Sequence, residues 1–596
     1  MKELASLNRY LWQYKWPLLV GLVFVIVSNF FAIQHPIIVR KTLNKVEELV
    51  KEYNDVSANG GEIDMNAAME SFIYFGLTFL LVALIGNVFL FLVRQMIIVT
   101  SRKIEKELKD DIYAHLQRLS LSFYRKTNTG DIMARLTEDV SSVRMYLGPG
   151  IMYTINFTSN IILVLIAMFS VNIELTLYVL IPMPFLAVSI YFVNQIIHKR
   201  STDVQEQMSR ISTYVQEMYS GIRVIKAFAA EVKLSKTFEE ESEDYKYKSL
   251  KLVQVNALFI PLIILLIGIC NLITIYIGGQ LYIRGEASAG NIAEFFMYVG
   301  RLTWPVAAVG WVTAVIQRAA ASQKRINAFM KIEPEIVAGT TVLNPVEGRL
   351  RFDNVGFTYK NTGIRAIDSF DLEVKPGEVV GVIGKTGSGK SSLIHLLMRQ
   401  FDVDQGQISI DDVPIKTLDL GKIRSQIGYV PQDNFLFADS IKNNVYWGGE
   451  GQSEDKEELY EVTEIADLKK DIDDLDDGFE TILGERGISL SGGQKQRLSI
   501  ARAIYGNPKV VVFDDSFSAV DTQTEAAILA SLGEYLKNRT TILVAHRVST
   551  VKNADQIIVM DKGRIVEKGR HEELITNKQY YYSLYRKQLL EKELES

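Results

Sequence analysis

Hydrophobic positions are unevenly distributed along the chain. Up to about residue 320 they gather into long, nearly unbroken runs, whereas beyond it short β-rich runs alternate with stretches of helical period. Six early runs, 16–38, 71–99, 145–171, 173–197, 252–278 and 291–315, reach the ~20 residues that a helix needs to cross a hydrocarbon layer about 30 Å thick. They predict six transmembrane helices. Residues 1–15 are polar and amphipathic, and Trp12, Tyr14 and Trp16 suit the headgroup layer, so an interfacial N-terminal helix is expected there. No small-residue cleavage site follows the first apolar run, which argues against a removed signal peptide.

The connections set the orientation. Those after the second and fourth runs are long and basic, with Arg102, Lys103, Lys106, Lys109, Arg118, Arg125 and Lys126 in the first and Lys199, Arg200, Lys233 and Lys236 in the second, which places both in the cytoplasm. The segment 47–70 is acidic and interrupted by Gly60 and Gly61, and the other outer connections are very short. The chain is therefore expected in the cell membrane, with both of its ends in the cytoplasm. The inner loops hold few helix breakers, so their flanking helices should run well past the bilayer and turn near Thr129-Gly130-Asp131 and Ser220-Gly221-Ile222.

Composition narrows the classes further. At ~150 residues per domain a soluble chain of 596 residues would hold about four domains, but a mean hydropathy above zero is high for a wholly soluble protein of that size. With 65 basic and 70 acidic residues the net charge is −5, which leaves no positive excess to grip a nucleic-acid backbone, so no nucleic-acid partner is expected. The single cysteine, Cys270, excludes an intrachain disulfide or a cysteine-rich metal site and reads as a small buried apolar residue.

Residues 328–346, with Pro334 and Pro345, read as a linker. Beyond it α/β grammar covers 347–580, followed by a helical tail at 581–596. A β-rich run ending in Gly381-Val-Ile-Gly384 leads through Lys385-Thr386-Gly387-Ser388-Gly389-Lys390-Ser391 into a helical stretch that begins at Ser392. Gly384 to Ser391 matches the phosphate-binding pattern G-x-x-x-x-G-K-S in the strand–loop–helix setting it requires. Glycines let the backbone wrap a phosphate, N–H groups at the helix start meet its oxygens, Lys390 reaches the outer phosphates and Ser391 can ligate magnesium. A second strand, 510–513, delivers Asp514 at its end, where a carboxylate can hold the magnesium of a bound nucleotide. An Asp after an apolar strand is by itself often a turn residue; its pairing with the phosphate loop gives it a function.

Between those two elements, Leu490-Ser491-Gly492-Gly493-Gln494 followed by Lys495-Gln-Arg497 resembles the signature sequence of ATP-binding cassette proteins. The resemblance extends residue by residue. Tyr359 resembles the aromatic that stacks on adenine, Gln432 in Tyr-Val-Pro-Gln-Asp the glutamine near magnesium, and His546 in Val-Ala-His-Arg the histidine that contacts the γ-phosphate. Ser518-Ala-Val-Asp521 resembles the loop that crosses to a partner cassette, and Glu485-Arg-Gly487 a short exporter motif. With six predicted spans (domain 16–327) ahead of one cassette, the whole chain resembles an ATP-binding cassette exporter half-transporter: a membrane all-α six-helix domain followed by an α/β P-loop domain. The resemblance implies ATP and Mg2+ as cofactors, ATP hydrolysis coupled to alternating access, and a second half-transporter whose bound ATP meets this chain's signature residues. It also implies inner-loop contacts with the cassettes, expected near Ser120 to Tyr124 and Ser220 to Val224.

One position departs from the family pattern. Where a catalytic glutamate usually follows the magnesium aspartate, this chain has Asp515. Removing one methylene withdraws the carboxylate by roughly 1 to 1.5 Å, and near-attack alignment is sensitive to that displacement. The site on this chain's own phosphate loop is therefore expected to turn over slowly, as in one half of a heterodimeric exporter whose partner carries the glutamate. A competent Asp515 in a homodimer, an importer of the same architecture and a regulatory cassette protein that does not transport are the competing readings.

The cargo is the least defined element. His35, Asn87, Arg94, Asn156, Asn160, Asn256, Asn271 and Arg301 lie within predicted spans, where an ionisable group is a functional candidate. Arg301, about ten residues into the sixth run, together with Asn156 and Asn271 is expected to line the substrate cavity. Aromatic and Met residues in the spans suit a hydrophobic or amphipathic small molecule or a membrane lipid. No room is seen for a fused N-terminal peptidase, which disfavours export of leader peptides.

Overall fold

Six helices among the described residues are long and apolar enough to cross a membrane. Labelled with a short helix inside each inner loop, they are α1 (Lys15–Asp55), α2 (Met69–Arg118), α3 (Leu121–Lys126), α4 (Thr129–Val171), α5 (Ile173–Ser220), α6 (Ile222–Ala227), α7 (Glu231–Ile283) and α8 (Ala289–Met330). The computed structural model describes residues 2–58, 65–449, 454–484, 487, 490–517 and 522–595. Two compact units result, one built from Met1–Gln117 and Thr129–Ile332, the other from Arg118–Asn128 and Glu333–Ser596.

In the first unit the helices start where side chains satisfy the orphan N–H groups of a first turn. Asn172 Oδ1 accepts from Leu175 N at 2.9 Å to open α5, and Ser288 with Asn291 forms a capping box at the start of α8. Pro36, Pro261 and Pro305 lie inside α1, α7 and α8, and each removes one backbone hydrogen bond. The core joins Val164 and Met168 of α4, Val179 of α5, Cys270 and Leu281 of α7, and Phe295, Tyr298 and Leu302 of α8. Cys270 is fully buried there. On the extensions beyond the apolar runs, Arg325 pairs with the buried Asp139, and Arg144 lies 3.4 Å from Glu105.

Residues 2–13 form two short pieces, a tight turn of helix at Lys2–Leu7 and a helix at Asn8–Gln13, rather than one continuous helix. Leu4, Leu7 and Tyr10 are buried while Trp12 and Trp16 are exposed. Asn327 Nδ2 donates to the Glu3 carbonyl (2.9 Å), and Tyr14 donates to Glu107 (2.5 Å).

The first inner loop differs from its expected layout. Thr129 opens the returning helix α4, and the chain turns on either side of α3, at Ser120 and at Thr127, both extended in backbone conformation. Arg118–Asn128 groups with the cassette unit rather than with the spans. Ser120 Oγ accepts from Ile336 N at 3.1 Å and Ser122 Oγ donates to Glu335 at 2.7 Å, two contacts with the start of the linker that composition alone does not encode. The second inner loop breaks at Gly221, where it was expected to turn.

The cassette unit contains β1 (Leu350–Thr358), β2 (Arg365–Val374), β3 (Val379–Gly384), α9 (Lys390–Leu397), β4 (Gln405–Ile410), β5 (Val413–Pro414), β6 (Ile427–Val430), α10 (Gly492–Ile504), β7 (Val510–Asp514), β8 (Thr540–Ala545), β9 (Gln556–Asp561), β10 (Arg564–Gly569) and the tail helix α11 (Tyr580–Glu595). An antiparallel sheet runs β2-β1-β4-β5, and a second sheet runs β10-β9-β3-β8-β7-β6. In the second, β9, β3, β8, β7 and β6 are mutually parallel. Its parallel strands are largely apolar because both faces are covered: α9 and the antiparallel sheet enclose Val380, Val382, Leu393 and Phe352, and the helical part that contains α10 encloses Ile383, Leu498, Phe513 and Leu543.

Candidate nucleotide site

Strand order brings the site together. Because β3, β8, β7 and β6 are adjacent and parallel, their C-terminal ends deliver the phosphate loop, His546, the Asp514-Asp515 pair and Gln432 along one edge, the edge at which parallel α/β sheets bind ligands. Ile383 is in register with Ala545, and Asp514 with Val544.

The loop from Gly384 to Ser391 is shaped to wrap an anion. Gly389 precedes α9 at φ +105°, and a Cβ on it would lie 2.4 Å from the Ala366 carbonyl oxygen, so only glycine fits. Lys385, Thr386 and Gly387 are exposed on the loop's outer turn, while Ser388 and Ser392 are buried. Lys390 Nζ folds back to donate to the carbonyls of Gly384 (2.8 Å) and Lys385 (3.0 Å). Burial pulls its ammonium pKa below the usual lysine value, against the pull of Asp515 and Asp514. Ser388 Oγ is buried without a hydrogen-bond partner among the described residues, an orphan donor that a phosphate oxygen would satisfy.

Ser391 Oγ donates to Asp514 Oδ1 at 3.0 Å, so two of the three residues expected around magnesium are in contact. Asp514 is 2 % exposed. Burial raises its carboxyl pKa, the Ser391 hydrogen bond lowers it, and the neighbouring Asp515 charge raises it again. A buried carboxylate beside a second one is a place where a divalent cation would be the natural counter-charge. Gln432 is exposed just past β6, with no described contact to the pair. Asp515 has a left-handed backbone (φ +50°) held by its N–H to the Val544 carbonyl (3.0 Å), and its Oδ2 lies 3.8 Å from His546 Nε2. The His546 carbonyl in turn accepts from Gln588 of α11 (2.9 Å).

The signature lies apart from these contacts. Ser491 caps α10, its Oγ accepting from Gln494 N (3.2 Å) while Gln494 Oε1 accepts from Ser491 N (3.0 Å). Gln494 also donates to Asp471 (2.8 Å). Ser491 and Gly492 are exposed, Leu490 and Gly493 half-buried, and none of the five has a described hydrogen bond to the phosphate loop. Ser518 and Asp521, together with Glu485 and Arg486, lie outside the described residues.

The two families matched divide the chain where its physics does. Residues 18–306 match the ABC transporter transmembrane region and residues 367–518 match the ABC transporter family. The chain is similar to the probable multidrug resistance ABC transporter ATP-binding/permease protein YheI of Bacillus subtilis, with 37% identity over 87% of this chain and 88% of that protein. The chain belongs to the ABC transporter family. The multidrug resistance-like ATP-binding protein MdlA of Escherichia coli is 36% identical over 87% of this chain and 88% of its own length. The ATP-dependent lipid A-core flippase of Syntrophus aciditrophicus is 33% identical over 82% of this chain and 81% of its own length. This ABC transporter is a multi-pass membrane protein whose cassette hydrolyses ATP in step with transport.

Tyr359, the expected adenine platform, is held by edge contacts with Phe357 (4.8 Å) and Phe401 (5.5 Å), and its hydroxyl lies 3.0 Å from Ser392 Oγ. Arg125 of α3 packs beside this aromatic, a neighbour that motif reading did not single out. Its guanidinium stands 5.6 Å from the Tyr359 ring and 5.1 Å from the Phe401 ring, and its Nη2 lies 3.2 Å from His395 Nε2. A guanidinium only donates, so that nitrogen accepts and the proton of a neutral imidazole sits on Nδ1, which faces Gln400 Oε1 at 2.7 Å. Burial and the Arg125 charge both pull the His395 pKa below its usual value. In the sequence Arg125 is one basic loop residue among many; a lone His in the apolar face after the phosphate loop was the only available signal.

Of the residues expected to line a cavity, Asn156 lies in a clamp with α1: Asn29 Nδ2 donates to its carbonyl (3.1 Å) and to Ser159 Oγ (2.6 Å). Asn271 Oδ1 is buried without a partner, and Arg301 faces His35. No described hydrogen bond joins these three.

Proposed function

We propose that this transporter exports amphipathic small molecules or lipids across the cytoplasmic membrane, as one half of a heterodimer whose own phosphate-loop site is hydrolytically impaired. The single observation behind the impairment is Asp515: it directly follows β7, beside Asp514 and His546, with a carboxylate one methylene shorter than the family's glutamate. General-base positioning of the attacking water is worth about 10² to 10⁴ in rate, so a displaced carboxylate slows this site. Export of such cargo is supported by the relatives named for multidrug resistance and for a lipid A-core flippase.

Lys390 and the loop N–H groups bind the phosphates, Tyr359 receives the base, and Ser391, Asp514 and Gln432 would hold magnesium. The bound ion supplies neutralisation of phosphate charge. His546 donates toward the outer phosphate while Asp515 accepts from water. The exposed Ser491, Gly492 and their neighbours Leu490, Gly493 and Gln494 would meet nucleotide held by the partner chain, with Ser518 and Asp521 crossing beside it. α3 and α6 would carry cassette closure to the spans, on a protein whose cassette and both termini face the cytoplasm. The exposed Tyr219, Val224 and Phe228 around α6 give that helix an apolar surface for the contact.

The deciding experiment is ATP hydrolysis by this chain purified alone in lipid, with oligomeric mass measured on the same sample. Little turnover in a folded, nucleotide-binding preparation is the expected result. Brisk turnover by a homodimer would overturn the heterodimer reading and make Asp515 competent.

A further inference from the structure

Helices α1 and α8 meet along a polar seam at their outer ends. Asn44 Oδ1 accepts from Gly290 N (3.2 Å), where a Cβ would lie 2.5 Å from the Arg40 carbonyl, so the helices approach at a glycine. One turn deeper the Arg40 guanidinium pairs with the buried Glu294 (3.0 Å), whose other oxygen accepts from Tyr298 (2.9 Å). Deeper again, Arg301 Nη2 lies 3.5 Å from His35 Nδ1, and Asn160 Nδ2 of α4 donates to the Arg301 carbonyl (3.2 Å).

The charges along this seam do not cancel. Glu294 is matched by Arg40, while Arg301 has no carboxylate partner among the described residues. Arg301 stands about 18 Å along α8 from its outer start, at 1.5 Å rise per residue, far inside the hydrocarbon layer, where an unpaired cation is costly and marks a ligand path or a missing partner. The hydrogen bonds are equally unbalanced. A guanidinium only donates, so His35 Nδ1 is the acceptor and the neutral ring carries its hydrogen on Nε2. That Nε2 is buried without a partner among the described residues, as is Asn160 Oδ1. Arg301 and His35 are half-buried, and aromatic residues lie beside them: the Phe79 ring is 4.7 Å from the His35 ring, and Trp304, three residues along the same helix as Arg301, is 71 % exposed.

We propose that Arg301 and His35 form a subsite for the anionic oxygen head group, of the phosphate or carboxylate class, of an amphipathic cargo whose apolar body lies against the Phe79 and Trp304 surface. Describing the ligand as cargo rests on the export reading; the anion subsite rests on the seam itself.

The test is equilibrium binding of radiolabelled dodecyl phosphate and of dodecyltrimethylammonium to the full chain in phosphatidylcholine nanodiscs. Dodecyl phosphate should bind the native chain, and Arg301→Gln should weaken it roughly ten- to hundredfold, the loss expected for a hydrogen bond to a charged group, with dodecyltrimethylammonium binding unchanged. Arg301→Lys should restore most of that affinity, and His35→Phe, which keeps the ring beside Phe79, should weaken dodecyl phosphate alone. Adding phosphatidylglycerol to the disc separates the sources: displacement of the label assigns the subsite to a lipid head group, and no displacement assigns it to a free amphiphile. Equal binding of the two probes by the native chain, or unchanged dodecyl phosphate binding by Arg301→Gln, would overturn the proposal. A parallel loss of both probes in Arg301→Gln and Arg301→Lys would also overturn it, because the residue would then serve only the fold. Export is tested separately by ATP-driven flux, whose absence would leave the binding result standing.

Discussion

Asp515 Oδ2 lies 3.8 Å from His546 Nε2, although the two residues come from the ends of different strands. On the proposed reading this pair would flank the attacking water, and the shorter side chain would set the reach of the base. Asp515→Glu should raise turnover at this phosphate loop by about 10², the lower end of the range for general-base catalysis. The measurement is ATP hydrolysis by the assembled transporter with the partner's own catalytic glutamate changed to Gln. An unchanged rate would remove the geometric explanation.

Ser491 caps α10, and the proposed function gives it a second task that substitution can separate from the first. As the N-cap of α10 its loss should cost about 1 kcal/mol of cassette stability, read from denaturant unfolding. As a proposed ligand of the partner's nucleotide its loss should abolish most ATP turnover in the assembled transporter. Ser491→Asp, which keeps a capping side chain, should recover the stability and not the activity; recovery of both would confine Ser491 to capping.

His395 should make the stability of the cassette depend on pH. Its pKa is lowered in the fold by burial and by Arg125, so below the unfolded value of about 6.5 the unfolded chain binds more protons than the native one. The corresponding stability is complete above that pH and is lost as pH falls toward the lower native pKa. Thermal melting of the cassette transition should therefore decline more steeply on acidification in the native chain than in His395→Gln. Parallel declines would show that His395 does not titrate in this window.

Arg125→Ala should leave nucleotide binding by the phosphate loop nearly intact, because Lys390 and Ser391 do not depend on it. Loss of its contacts with Tyr359 and Phe401, each worth about 0.5 to 1 kcal/mol, should loosen α3 from the cassette. Stimulation of ATP hydrolysis by an amphipathic ligand should fall severalfold in the assembled transporter, and normal stimulation would argue against α3 as a coupling element.

Arg40 and the buried Glu294 form an ion pair at 3.0 Å that should lock α1 to α8. Removing one member of a buried pair strands the other and costs about 3 to 5 kcal/mol. Glu294→Ala should lower the melting temperature of the full chain in lipid markedly, and the double variant with Arg40→Met should recover part of the loss. Additive losses would contradict the pairing.

Much of the nucleotide site was legible because its parts are contiguous. A phosphate loop is eight residues in a row, and the requirement for glycine at Gly389 is local, since a side chain there would strike the backbone of the neighbouring strand. Ser491 and Gln494 are three residues apart, which is the spacing at which a helix start caps itself. The six apolar runs were readable for a related reason: the thickness of a bilayer is imposed from outside and demands an uninterrupted stretch of chain.

What crosses the chain was not legible. Nothing local places Arg125 beside His395, 270 positions later, or Arg301 beside His35. The parallel order of β3, β8, β7 and β6 decides which strand ends share an edge, and that order reflects how the two faces of the sheet are buried. The sequence by itself determined six apolar spans, a phosphate loop and a carboxylate one methylene short, because length, turn chemistry and side-chain identity act over a few residues. Only the tertiary structure decided that α3 belongs with the cassette, that Asn156 is spent in a clamp with Asn29, and that Arg301 meets His35 rather than a carboxylate among the described residues. Those outcomes depend on which charges and hydrogen-bonding groups meet when distant segments pack, and a charge is compensated or stranded only once its neighbours are in place.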